Sequence, residues 1–252
     1  MTELNDMNTS EAPSCLICGS ELVYFTEERE MTCEICGRQF KSNACCKNGH
    51  FVCDECHGEK ALESIISVCM TESSKNPLTI ARRLMNRPDV YMHGPEHHVL
   101  IGASLLTAYC NAAGETSGRL SEKKDNESIV LETALKEMLS RGKSVPGGAC
   151  GFWGACGSAL SAGIFMSIIT KTTPLSGESW GRCMLLTSRI LSEIGKIGGP
   201  RCCKRGTFIS IRETTAFTKE HLGVSMELPD KIKCSFYKNN NECLAGSCPF
   251  FP

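Results

Sequence analysis

Cys15-Leu-Ile-Cys18-Gly19, then Cys33-Glu-Ile-Cys36-Gly37, then Cys45-Cys46-Lys-Asn-Gly-His50-Phe-Val-Cys53-Asp-Glu-Cys56-His57 decide how the first part of this chain folds. Each Cys-x2-Cys pair can wrap two thiolates around one tetrahedral cation, and four such ligands close a structural zinc site. In the first two pairs a glycine follows the second cysteine directly, the knuckle form that turns backbone amides toward the sulfurs. Between them, residues 22–25 (Leu-Val-Tyr-Phe) predict a short strand, which suits a zinc ribbon or treble-clef-like module. The third set offers Cys45 or Cys46 with His50, Cys53 and Cys56 as a second four-ligand site, with His57 to spare. Ligands could be used in chain order, or could interleave in the cross-braced manner that RING-type modules resemble; spacing alone does not decide. A segment this short cannot enclose a sufficient apolar core, so metal has to hold it. Zinc is expected, about two per chain, and rubredoxin-like iron is the chemical rival at the first four-cysteine pattern.

Outward from this module the chain has 252 residues, room for one further domain of ordinary size. Eighteen cysteines make thiol chemistry its outlying feature, while a net charge of −1 gives no electrostatic reason to expect a nucleic acid. Residues 1–14 are polar and acidic, lack the basic start and apolar run of a secretory signal, and are read as a disordered N-terminus. No stretch reaches the roughly 20 apolar residues that cross a bilayer. A cytoplasmic chain with reduced thiols is therefore expected, its cysteines serving metal or redox chemistry and not structural disulfides. A protein partner docking on the zinc module is the remaining expectation about partners.

Beyond residue 57 the pattern is helical. Leu62, Ile65, Ile66 and Cys69 recur at helical spacing, so residues 58–75 read as a helical linker and 76–252 as an α-helical, cysteine-rich domain. Asn76-Pro77 caps a helix to about residue 87. Pro95 opens an apolar helix expected to end at Cys110, ahead of a polar loop at 113–126, and an amphipathic helix follows over 127–141. Further helices are expected over 158–169, 180–197 and 207–222.

Three stretches of this domain carry candidate chemistry. In residues 147–157, Cys150 and Cys156 sit among five glycines ahead of a helix, so Gly147, Gly148 and Gly151 could present amides to a cofactor. A thiol at such a helix start has its pKa lowered; the alternative is that small residues simply let helices approach. His93-Gly-Pro-Glu96-His97-His98 places imidazoles at a helix start, where His97 or His98 could ligate a metal or move a proton, or could serve only structure. In Arg201-Cys202-Cys203-Lys204-Arg205, basic groups would favour thiolates, and Arg201 and Arg205 could contact an anionic ligand. The tail adds Cys234, Cys243 and Cys248-Pro249: three thiols plus one from elsewhere make the count for an iron–sulfur cluster. A zinc site or a stapled tail fits the same spacing. Neither a Gly-x-Gly-x-x-Gly unit nor a complete phosphate loop is present.

Two family resemblances follow from these residues. The Cys156-Gly-Ser-Ala-Leu-Ser-Ala-Gly stretch with the later Cys202-Cys203 resembles the helical redox-associated proteins named for a C-GCAxxG-C-C pattern, although the family's opening cysteine falls here near His97-His98. That departure favours metal ligation over a simple dithiol. The whole layout resembles an uncharacterised family of two-part, cysteine-rich proteins of methanogens and anaerobic bacteria. The likeness is carried by the Cys-x2-Cys pairs, Gly49-His50-Phe51-Val52-Cys53-Asp54, the His93–His98 motif, the glycine loop and Cys248-Pro249-Phe250. Members are often labelled SAM-dependent methyltransferases; no adenosyl-binding loop is found here. The expected function is metal binding, with a structural zinc module and a helical Cys/His site for sulfur or metal handling or redox. The alternatives are a thiol-directed group-transfer enzyme or an interaction adaptor.

Overall fold

A computed structural model of the chain describes residues 15, 17, 18, 20–117 and 130–252. The N-terminus read as disordered, residues 1–14, lies outside the described residues, as do most of the polar loop read at 113–126 and the His57 side chain.

The first part is a small antiparallel sheet. Strand β1 (Leu22–Thr32) pairs with β2 (Gln39–Cys46), running from Leu22 opposite Cys46 to Thr32 opposite Gln39, with an irregularity between Tyr24 and Arg29. β1 thus extends well past the four residues that its apolar run suggests. Its distal half is held by ladder pairing from Arg29 to Thr32 and carries mostly solvated side chains.

Helix α1 (Asp54–Thr71) starts inside the metal-ligand pattern, with Cys53 at its N-cap and Cys56 in its first turn. It runs without a break into the helical part, where Ala61, Leu62, Ile65 and Cys69 are buried. Asn76 caps α2 (Pro77–Met85), accepting the Leu78 and Thr79 amides at 3.0 and 3.1 Å. Helix α3 (His97–Ser117) is the central rod. It packs against α1, α2, α6, α8 and α4 (Leu131–Lys143), and is apolar on nearly every side because each side meets a neighbour. It runs seven residues beyond Cys110: Ala112 and Ala113 favour helix, and the Asn111 amide holds the Glu72 and Ser74 carbonyls at 3.1 and 2.9 Å.

The glycine stretch is not a simple loop. It contains a one-turn helix, α5 (Ala149–Phe152), entered through Gly148 at φ 79°, and then α6 (Gly157–Ile169) with Cys156 at its N-cap. Phe165 of α6 is fully buried and meets Tyr109 of α3 edge-on at 5.8 Å. Helix α7 (Glu178–Ile197) covers α6, and α8 (Cys203–Leu222) closes the bundle. α8 begins four residues earlier than its apolar spacing suggests. Gly206 is where α8 crosses α6; a Cβ there would meet Ser158 Oγ at 2.7 Å. The tail returns over α2 and α8: the Glu227 amide donates to Lys75 O, Arg82 donates to Lys233 O, and Phe250 meets Phe208 edge-on at 5.4 Å. Among the described residues, no helix is long and apolar enough to cross a membrane.

Candidate metal centres and the adjoining cleft

Two groups of four ligands lie at the two ends of the sheet. Cys15, Cys18, Cys46 and His50 form one, and Cys33, Cys36, Cys53 and Cys56 the other; within each, all ligand atoms lie within 4.8 Å of one another. The ligands therefore interleave: the first Cys-x2-Cys shares its centre with Cys46 and His50, the second with Cys53 and Cys56. Folding β1 back on β2 places Leu22 opposite Cys46 and so brings the two ends of the module together. Cys45, the alternative to Cys46, is buried beside it but stands outside both groups.

The spacing fits a tetrahedral ion. Metal–sulfur bonds of about 2.3 Å require sulfur–sulfur edges of about 3.8 Å. Cys18 and Cys46 Sγ are 3.8 Å apart, and Cys36 and Cys53 Sγ 3.9 Å. His50 Nδ1 lies 3.6 Å from Cys46 Sγ and 3.8 Å from Cys15 Sγ. Backbone amides face the sulfurs: Ile17 to Cys15 at 3.4 Å, His50 to Cys46 at 3.2 Å and Cys53 to Cys33 at 3.3 Å. Gly37 and Gly49, at φ 68° and 86°, make the turns these bonds need. Hydrogen bonds from Ser20 draw the Cys18 thiol down to about 5. Burial pushes Cys33 up, but the amides of Cys36, Cys53 and Ile35 outweigh it and bring it to about 6. Thiolates, the form that binds a cation, are favoured at these two positions.

Between this module and the helices lies a cleft of about 1330 Å³, lined among others by Tyr24, His93, Glu96, Gly148, Arg201 and Lys204. The Gly147 amide donates to Asp54 Oδ2 of α1 at 2.7 Å, and a Cβ at Gly147 would meet Asp54 Oδ1 at 2.9 Å. Arg201 reaches the other way, stacking on the Tyr24 ring at 5.1 Å and donating to its hydroxyl. The glycine loop and the approach to α8 are thus the two seats of the metal module. Gly151 is open on its Cβ side.

The floor of the cleft is polar and buried. His97 Nδ1 faces Gly94 O and Glu96 Oε1, both at 3.2 Å, so Nδ1 carries the proton and Nε2 accepts from Lys204 Nζ at 3.1 Å. Lys204 also donates to Tyr91 O at 2.8 Å, and burial lowers its pKa to about 8. Burial, then Lys204, keeps His97 neutral. Gly94 must lack a side chain, because a Cβ there would fall 2.0 Å from Glu96 Oε2. His98 turns away: its Nδ1 bonds Val145 O at 2.9 Å, and its ring fills the space over Gly157.

Of the thiols singled out in the sequence, Cys156 at the N-cap of α6 and Cys203 at the first position of α8 come together near this floor. The Gly94 amide and the charge of Arg201 act to lower the Cys203 thiol, and Glu96 and Cys156 to raise it. Cys156 bonds Ser158 Oγ at 3.1 Å, and Gly206 of α8 leaves room for both. Cys150 feels Cys156 and Arg201 from the loop side. Burial pushes Cys203 up to about 12 and also raises Cys150. Cys202 points to the opposite side of α8, toward the tail cysteines, and Arg205 on that side donates to Gly198 O and Pro200 O at 2.8 and 2.7 Å. His93 belongs to the same motif as His97 and His98. It lies between these two sides, bonded to the Cys203 amide at 3.5 Å and to Asn240 Oδ1 at 3.3 Å.

Residues 65–251 match one family model from within α1 nearly to the last residue. The chain belongs to the family of unknown function DUF5714. The match takes in the cleft floor, the glycine loop and every tail cysteine, and begins after the last ligand of the two metal centres. No curated protein and no solved structure matches the chain.

Proposed function

We propose that the protein is a metal-binding protein with a division of labour between its two parts. The N-terminal centres hold two zinc ions structurally, in a cross-braced, zinc-ribbon or treble-clef-like module. All four positions around each ion are protein ligands, so neither ion is left an open site for substrate. The helical part handles a soft metal or sulfur species at the cleft floor, with Cys156 and Cys203 as the donors. One observation carries this reading: the starts of α3, α6 and α8 converge there, bringing Cys156 and Cys203 beside the Glu96–His97–Lys204 network. Burial keeps Cys203 a neutral thiol until a soft metal displaces its proton, and the helix starts and Lys204 then offset part of the bound thiolates' charge. Cys150, on the loop between module and floor, is placed to deliver or receive the cargo, and Arg201 spans module and site. His98 orients α3 against the loop and takes no part as a ligand.

The test is cadmium titration of the protein with its structural zinc in place, followed by sulfur-to-metal charge-transfer absorption. The Cys156→Ser/Cys203→Ser double variant is expected to bind one cadmium ion fewer than the unaltered chain while keeping its zinc. Equal stoichiometry in the two proteins overturns the assignment.

A further inference from the structure

Cys202, Cys234, Cys243 and Cys248 come from four separate places in the chain, yet they line one cavity of about 20 Å³. What sets this void apart is its lining, four thiols in an otherwise mostly apolar wall. The sulfurs are arranged unlike those of the N-terminal centres. They are not gathered within 4.8 Å of one another as those ligands are, although Cys234 feels the charge of each of the other three. Thiols spaced more widely than the ligands of a single ion suit a polynuclear core, whose thiolates bind different iron atoms.

The surroundings point the same way. Backbone amides donate to three of the four sulfurs: Arg205 to Cys202 at 3.4 Å, Phe236 to Cys234 at 3.3 Å and Ala245 to Cys243 at 3.4 Å. The Asn240 side chain adds a fourth N–H, 3.7 Å from Cys202. Such bonds stabilise the charge a cluster places on its ligands. Cys202 caps the start of α8, whose dipole favours an anionic centre, and Arg205 lines the cavity. Met92, Phe208, Tyr237 and Phe250 make the rest of the lining largely apolar.

We propose that Cys202, Cys234, Cys243 and Cys248 bind an iron–sulfur cluster through four thiolates. The tail supplies three ligands and folds back so that α8 supplies the fourth. The centre is separate from the Cys156–Cys203 site, on the other side of the α8 start, and does not depend on that reading. Asn240 bridges the two sides: it donates to Cys202 and meets His93, whose other ring nitrogen faces the Cys203 amide.

The experiment is anaerobic reconstitution of the full chain with ferric iron, sulfide and a thiol that reduces part of the iron to ferrous, followed by iron, sulfide and zinc analysis. Iron and sulfide in equal amounts, a broad visible band and undiminished zinc are expected. Cys202→Ser and Cys243→Ser should each lose the iron and the band with helical circular dichroism unchanged, and Cys110→Ser should keep both. Cys243 lies in a partly exposed turn, so its variant remains readable if Cys202→Ser fails to fold. Failure of the unaltered chain to take up iron and sulfide overturns the proposal, as does a third zinc ion at this site. So does a full cluster in both Cys202→Ser and Cys243→Ser. Neither result bears on the cadmium stoichiometry of Cys156 and Cys203.

Discussion

The N-terminal module and the helical domain are held together by different physics. From residue 15 to residue 53 the buried side chains among the described residues are all cysteines: Cys15, Cys33, Cys45, Cys46 and Cys53. The helical part buries Leu, Ile, Met, Ala and Phe in one continuous core, from Ala61 to Phe250. A fold whose interior is its ligand set is only as stable as its metal. A fold built around α3 has no such dependence. The contrast shows that the two parts answer to different perturbations although α1 belongs to both.

The largest effect expected is from metal removal. Structural ions contribute on the order of 10 kcal/mol to small modules. Chelation should therefore make β1 and β2 sensitive to protease while α2–α8 keep their helical circular dichroism; melting of the helices together with the sheet would erase the distinction. At single-residue level, Cys46→Ala should lower bound metal by one ion per chain and Cys45→Ala should leave it unchanged, since only Cys46 joins a ligand group. Phe165→Ala acts on the other part. Emptying a fully buried ring position costs about 3–5 kcal/mol, so thermal unfolding of the helices should move down steeply while metal content stays constant.

A third effect is set by pH. Burial, then Arg201, holds His93 down at about 4 despite the Asn240 hydrogen bond, and His97 and Lys204 push the same way. The unfolded chain takes up that proton near 6.5. Below 6.5 the unfolded state binds more protons, so stability falls as pH drops from about 6.5 to about 4, by roughly 3 kcal/mol across the window. Urea melts of wild type and His93→Gln at several pH values measure it, and equal slopes in the two proteins would remove His93 from the account. The smallest effect is at the seam. Arg201→Ala removes a partly exposed stacking contact worth about 0.5–1 kcal/mol, and should raise hydrogen exchange around Tyr24 without shifting either melting transition much.

The existence of the metal module was legible because ligand spacing is local: Cys-x2-Cys with a following glycine needs no tertiary information. Which pairs share an ion was not, because Cys15 meets Cys46 only after β1 has folded onto β2. The helices were legible from apolar recurrence, and their ends less so. The apolar spacing places α8 from Thr207, and the role of Gly206 as the crossing point with Ser158 is a property of another helix. That displacement hid the most informative detail of the site. Cys202 and Cys203 read as neighbours on a basic turn, whereas at a helix start they project about a third of a turn apart and serve different surroundings. The tail was read as three thiols in search of a fourth, and only the return of Phe250 onto Phe208 brings Cys202 within their reach.

α1 has one further consequence. Its first turn contains Cys56, a ligand; Asp54, which holds the amide of Gly147; and, two turns on, residues anchored in the core. The helix is therefore a mechanical link whose upper bearing is an ion. When oxidant or a competing chelator takes that ion, the first turn loses its anchor at Cys53 and Cys56, and Asp54 releases the loop that bears Cys150. With zinc bound as proposed, the centre and the loop that bears Cys150 would share one support, the first turn of α1.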